Sequence, residues 1–211
     1  MSTLLPELII RFNSQRELGR FALEILSPDG SQVKRPLILD SAPKYLSGDL
    51  VLSAGLIYSG YSPEKLIVEW PVTEHFAEEI NSGFGCEVIA AKARPDLNSV
   101  SRPKATILEV STGVDLDSKT PDREITRLLL VPNERFSGSL IGVKEVVIAG
   151  NAEWMASLYG AGALIAAGIL FSTDFMAHSL SFPYAEIDDA EYEFARKVCR
   201  LNDLQFLSKD A

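Results

Sequence analysis

The chain has 211 residues, 46% hydrophobic and 23% charged, with two cysteines and a formal net charge of −9. At this length area scaling buries about 70% of the unfolded surface, enough for a sizeable core without disulfides or metals. The composition excludes a disordered, collagenous, coiled-coil or disulfide-scaffold chain, and the acidity opposes binding to nucleic acid or to an anionic membrane surface.

In chain order, residues 8–12 predict a short strand. Ser14 and Glu17 form a capping box, and Leu18, Phe21, Ala22 and Ile25 follow at helical spacing, which predicts a helix. Pro28-Asp29-Gly30 predicts a turn. Residues 33–39 read as a strand that Pro36 either weakens or places at an edge. Residues 49–58 are apolar and interrupted by Gly55, and read as a buried strand with a bulge. Residues 66–70 and 86–92 read as strands around a helix over 74–81. Thr73 caps that helix and Gly83 ends it, which makes a parallel crossover unit.

Strands follow at 104–111, 125–131 and 143–149, separated by polar segments at 93–103, 112–124 and 132–142. Near the end, Asp188 and Glu191 open a helix whose acids lead and whose bases (Arg196, Lys197, Arg200) follow, matching the helix dipole. Together these elements predict a single domain over residues 1–211, of α/β or α+β class. It has a mixed, partly parallel sheet and about four helices, one of them long and buried.

That long helix is the uncharged segment 154–173, WMASLYGAGALIAAGILFST. It is long enough to span a bilayer. However, Glu153 and Asp174 flank it and no basic residue stands nearby, so the positive-inside rule has nothing to act on. It reads as a central buried helix, and Ala156, Gly160, Gly168 and Ser172 form a small-residue row suited to self-association.

Candidate chemistry gathers at few places. Gly150-Asn151, between a strand and a helix, is the strand–helix junction that cradles phosphate or a cofactor elsewhere, although it lacks a glycine-rich fingerprint and Glu153 follows. Asp115 and Asp117, with Asp122 and Glu124, lie in one loop and can hold a divalent metal. With Pro95-Asp96 and Lys119 they loosely fit a nuclease pattern, which the net charge opposes. His75 can share a metal with Glu78 or Glu79, and Cys86 lies near His75 in sequence as a candidate nucleophile. His178 has no evident partner. Lys92, Arg94, Arg102 and Lys104 make one locally basic segment that suits a phosphate or an acidic stretch of a partner.

The acid excess is segregated: residues 64–87 hold six acids and one base, and residues 174–211 hold eight acids and four bases. This favours solubility and leaves an acidic face for a protein partner. The opening MSTLLPELIIRF has no basic n-region and no long apolar stretch, so it predicts no secretory signal. With Cys86 and Cys199 far apart, a reducing cytoplasm is the expected compartment. Two functional expectations follow. One is a soluble, non-catalytic assembly or binding protein, homo-oligomeric through self-association. The other is a small α/β enzyme acting on a phosphorylated or otherwise anionic small molecule.

Overall fold

The computed structural model describes residues 6–15, 19–92, 106–113, 124–134, 136–183 and 185–207. The class is the expected mixed α/β one: among the described residues eleven strands form a single sheet of parallel and antiparallel pairs, with five helices. The first half starts with an antiparallel meander of β1 (Glu7–Gln15), β2 (Arg20–Leu26) and β3 (Gln32–Leu39). Then α1 (Gly48–Ser59) leads to β4 (Lys65–Val72) and α2 (Glu74–Phe84) to β5 (Glu87–Lys92), which add in parallel beside β1.

The second half contributes β6 (Thr106–Thr112), β7 (Ile125–Pro132), β8 (Ser139–Ile141), β9 (Glu145–Gly150), α3 (Ala152–Tyr159), α4 (Gly162–Phe171), β10 (Ala177–Ser181), α5 (Asp189–Leu201) and β11 (Gln205–Leu207). Its strands run parallel in the order β11-β10-β6-β7-β9, and β8 pairs antiparallel along part of β9. The halves meet at β3 and β9, which share one register pair, Leu39 with Gly150. Asp40 reinforces the seam. Its buried carboxylate takes Arg20 of β2 at 2.5 Å and the amide of Gly138, ahead of β8, at 3.1 Å.

The helices form one layer. α1 and α4 are both buried on all sides and lie against each other. They run antiparallel: the α1 carboxyl end meets Gly162 at the start of α4, while Asp174, beyond α4, binds the amides of Lys44 and Tyr45 ahead of α1. α1 rests on β1, β2 and β4, α4 on β6, and α3 on β3 and β7. The edge-on contact of Phe84 with Phe194 joins α2 to α5. On the inward face of the sheet Leu8, Ile10, Phe12, Phe21, Leu23 and Ile25 alternate with polar or half-exposed residues. The opposite face carries the exposed pair Arg11–Glu69 at 2.9 Å.

Several expectations are corrected. The helix expected after Ser14 is strand β2. Gly19, at φ 64°, turns the chain back, and Phe21, Leu23 and Ile25 point inward with period two. Phe21 and Ile25 on the inward face, taken with Ala22 on the other, counterfeit helical spacing, and residues 16–18, with Leu18, lie outside the described residues. The strand expected at 49–58 is helix α1. Ser47 caps it by accepting the amide of Leu50, and Gly60, left-handed at φ 81°, ends it. A helix apolar all round shows no amphipathic period, so only its length and caps betray it.

The long helix over 154–173 is two helices. Gly160, at φ 82° and ψ −177°, adopts a conformation that only glycine holds cheaply, and it breaks the helix there. Only α4 is fully buried, for α3 exposes Trp154 and Leu158. The small-residue row is thereby split, and Gly168 faces Val110 and Phe182 inside the chain. Among the described residues, no helix is long and apolar enough to cross a membrane.

Candidate functional site

A cavity of about 510 Å³ opens where the carboxyl end of α1, the α3–α4 break and the first turn of α5 converge. It adjoins a second hollow of about 570 Å³ toward β11, and both are walled by Gly160, Asp188 and Glu191. Lys34, Ile57, Tyr159, Ile165, Phe194 and Ala195 are among the other residues around the first.

Lys34 reaches this wall because of a bulge. β2 pairs Leu23 with Leu37 but Ile25 with Lys34, so one extra residue of β3 is accommodated around Pro36. A proline lacks the N–H a regular ladder needs and sits well at such a bulge. The shift sets Lys34 opposite the inward-facing Ile25 instead of on the open face. Its ammonium donates to the Tyr58 carbonyl at 2.9 Å and lies 5.6 Å and 5.2 Å from the ring centres of Tyr58 and Tyr159. It therefore caps the negative end of α1. Burial holds its pKa below the ordinary lysine value, against the attraction of Glu191. The Tyr58 hydroxyl is fixed by donating to the Arg35 carbonyl at 2.6 Å, and burial pushes its pKa up.

Glu191 stands at the opposite pole. Asp188 caps α5 by accepting the Glu191 amide at 2.8 Å, which fixes the first turn and presents the Glu191 side chain to the α3–α4 break. One carboxylate oxygen lies 3.3 Å from where a Cβ on Gly160 would sit. The amides of Gly162 and Ala161, at the positive end of α4, favour its ionised form, as does Lys34. Burial, followed by the charge of Asp188, outweighs them and raises its pKa. Lys34 and Glu191 thus face one cavity from two helix ends of opposite polarity. Among the described residues they form no ion pair with each other.

The residues singled out from sequence lie elsewhere. Gly150 and Asn151 stand at the β3–β9 seam. The Asn151 side chain accepts the Ile38 amide at 2.8 Å and donates to the Pro36 carbonyl at 2.8 Å, so its polar atoms are engaged by β3 and it does not cap α3 with its side chain. Asp115 and Asp117, with Lys119 and Asp122, lie outside the described residues, as do Asp96, Arg94, Arg102 and Lys104. His75 is exposed and paired with Glu79 at 3.6 Å. Cys86 is fully buried, and burial pushes its thiol up to about 11, the reverse of what a nucleophile requires. His178 sits at the irregular pairing of β10 with β6, and its Nδ1 is buried without a partner among the described residues. No group of three or more metal-ligating side chains occurs among the described residues.

Lys34 was not legible as a site residue, since a lone lysine in a strand normally marks the solvent face; Pro36 two positions on is the one signal of the bulge that turns it inward. Glu191 read only as the partner of the Asp188 cap. No family model, no curated protein and no solved structure matches the chain.

Proposed function

We propose that the chain is a non-catalytic binding protein that receives a small molecule bearing an anionic group in the cleft between α3, α4 and α5. The observation that carries this reading is Lys34. Its amino group is on the wall of a cavity, held by one backbone carbonyl and two aromatic rings, with no carboxylate paired to it among the described residues. A cation kept partly desolvated in this way is poised to gain from an incoming anion. The cavity volume falls within the range of small-molecule sites, about 300–1,000 Å³. The test is a thermal-shift screen of small carboxylates, amino acids and phosphate esters. At least one member raises the Tm, and the rise disappears in Lys34→Met. A panel without effect on the folded wild-type protein overturns the reading.

A second reading, self-association, rests on a separate observation. Among the described residues strand β8 pairs with β9 alone; Leu140 and Ile141 on it are 61% and 66% exposed, and Val143 just beyond it is 99% exposed. Exposed apolar side chains on an edge strand invite pairing with another strand, and a second copy presenting the same edge supplies one through a two-fold axis. Sedimentation velocity tests this. A dimer that Ile141→Lys converts to monomer supports it, and a wild-type monomer at tens of micromolar excludes it.

A further inference from the structure

We infer that the cleft selects a zwitterion with an apolar side chain, the chemistry an apolar α-amino acid presents. The inference rests on the cleft reading above and sharpens it. Three observations carry it.

The first is the charge count on the wall. One cation, Lys34, faces two carboxylates, Glu191 and Asp188. A simple anion drawn to Lys34 meets that carboxylate pair and is repelled, and a dianion such as a phosphate ester is repelled more strongly. A ligand that carries its own ammonium turns the repulsion into attraction.

The second is placement. The two poles belong to different helix ends, the ammonium at the carboxyl end of α1 and the Glu191 carboxylate at the amino end of α4. Opposite charges facing one cavity without pairing leave a gap that a dipolar molecule bridges, its carboxylate toward Lys34 and its ammonium toward Glu191 and Asp188. Burial disfavours the charged form of both Lys34 and Glu191, so a ligand that supplies the missing counter-charge to each recovers part of that penalty.

The third is the lining between the poles. Ile165 and Ala195 are fully buried behind the wall and Ile57 nearly so, and the apolar surface the cleft presents is that of Phe194 and the Tyr159 ring. They exclude a purely polar dipole such as glycine from gaining much, and they reward a branched hydrocarbon side chain through burial.

Isothermal titration of the full chain near neutral pH with four probes tests this: leucine, glycine, 4-methylpentanoate (which lacks the amine) and 3-methylbutan-1-amine (which lacks the carboxylate). Leucine is expected to bind at least about tenfold more tightly than each of the other three. Glu191→Gln is expected to weaken leucine about tenfold or more while leaving 4-methylpentanoate unchanged or tighter. The probe series on the wild-type protein stands even where a variant fails to fold. If 4-methylpentanoate binds as tightly as leucine, the zwitterion inference fails and the anion-binding cleft stands. If none of the four binds, the zwitterion inference fails and the thermal-shift screen decides the anion-binding cleft; if 3-methylbutan-1-amine alone binds, both fail.

Discussion

The side chain of Asn151 is bonded to the backbone of Ile38 across the seam that joins the two halves of the sheet. It accepts the Ile38 amide and donates to the Pro36 carbonyl, both at 2.8 Å, while its own amide donates to the Ile38 carbonyl at 3.0 Å. The side chain thus supplies the ladder bonds that β3 and β9, with one register pair between them, do not make. Asn151→Ala leaves a donor and an acceptor of β3 unmet and is expected to cost about 2–4 kcal/mol. Urea denaturation reads this out. A loss of a few tenths only would mean that water replaces the amide freely.

Asp40 predicts the acid limb of stability. Burial raises its pKa, but the hydrogen bond from Arg20, the Gly138 amide and the Arg20 charge outweigh burial and hold the carboxyl below its ordinary value. A carboxylate lowered in the folded state contributes stability above its unfolded pKa, about 3.9, and loses it as the pH falls through the folded value. Stability is therefore expected to decline below about pH 4, and less steeply in Asp40→Asn than in the wild type. At neutral pH that variant is expected to lose about 1–3 kcal/mol. Equal acid slopes in the two proteins would remove Asp40 from the account.

Two helical glycines separate close approach from mere sequence. A Cβ on Gly48, at the start of α1, would lie 1.9 Å from the Pro71 carbonyl oxygen, and that backbone must move before alanine fits. At Gly83, in α2, nothing lies within 4 Å. Gly48→Ala is expected to destabilise by about 1–3 kcal/mol or more. Gly83→Ala is expected to stabilise by about 0.5–1 kcal/mol through helix propensity. Thermal melts of the two variants check the contrast, and equal shifts would contradict the packing of α1 on β4.

Both cysteines are fully buried, Cys86 with its thiol pushed up to about 11 and Cys199 to about 12 by burial. The reactive thiolate is thus scarce and inaccessible in the native protein. Ellman's reagent is expected to modify them only as the chain unfolds, with a rate that rises with denaturant. Prompt labelling of one thiol in buffer would show that its element opens locally.

How much of this was legible in the sequence depends on where each residue faces. Strands such as β1 and β4 announce themselves as short apolar runs, and α5 by its Asp188 cap and ordered charges. The fully buried α1 carries no period at all, so its apolar run reads equally as strand or helix. β2 fails for the opposite reason, because residues on its two faces combine into an accidental helical spacing. β10 and β11 are short and follow a helix and a turn, and nothing local marks them as strands. The cleft was out of reach because it is assembled from β3, α1, α3, α4 and α5, distant segments whose meeting is a property of the topology, while each contributing residue has an ordinary local role.

The antiparallel embrace of α1 and α4 governs the order in which the protein can be completed. α1 comes from the first half of the chain and α4 from the second, and each is a large part of what hides the other from water. A nascent chain that has left the ribosome only as far as β5 holds an apolar helix with one flank bare, and that flank stays open until the last third of the polypeptide has been synthesised. The two halves are therefore expected to unfold as one unit despite the narrow seam between their strands. The separated halves, expressed together, would find each other through this helix pair.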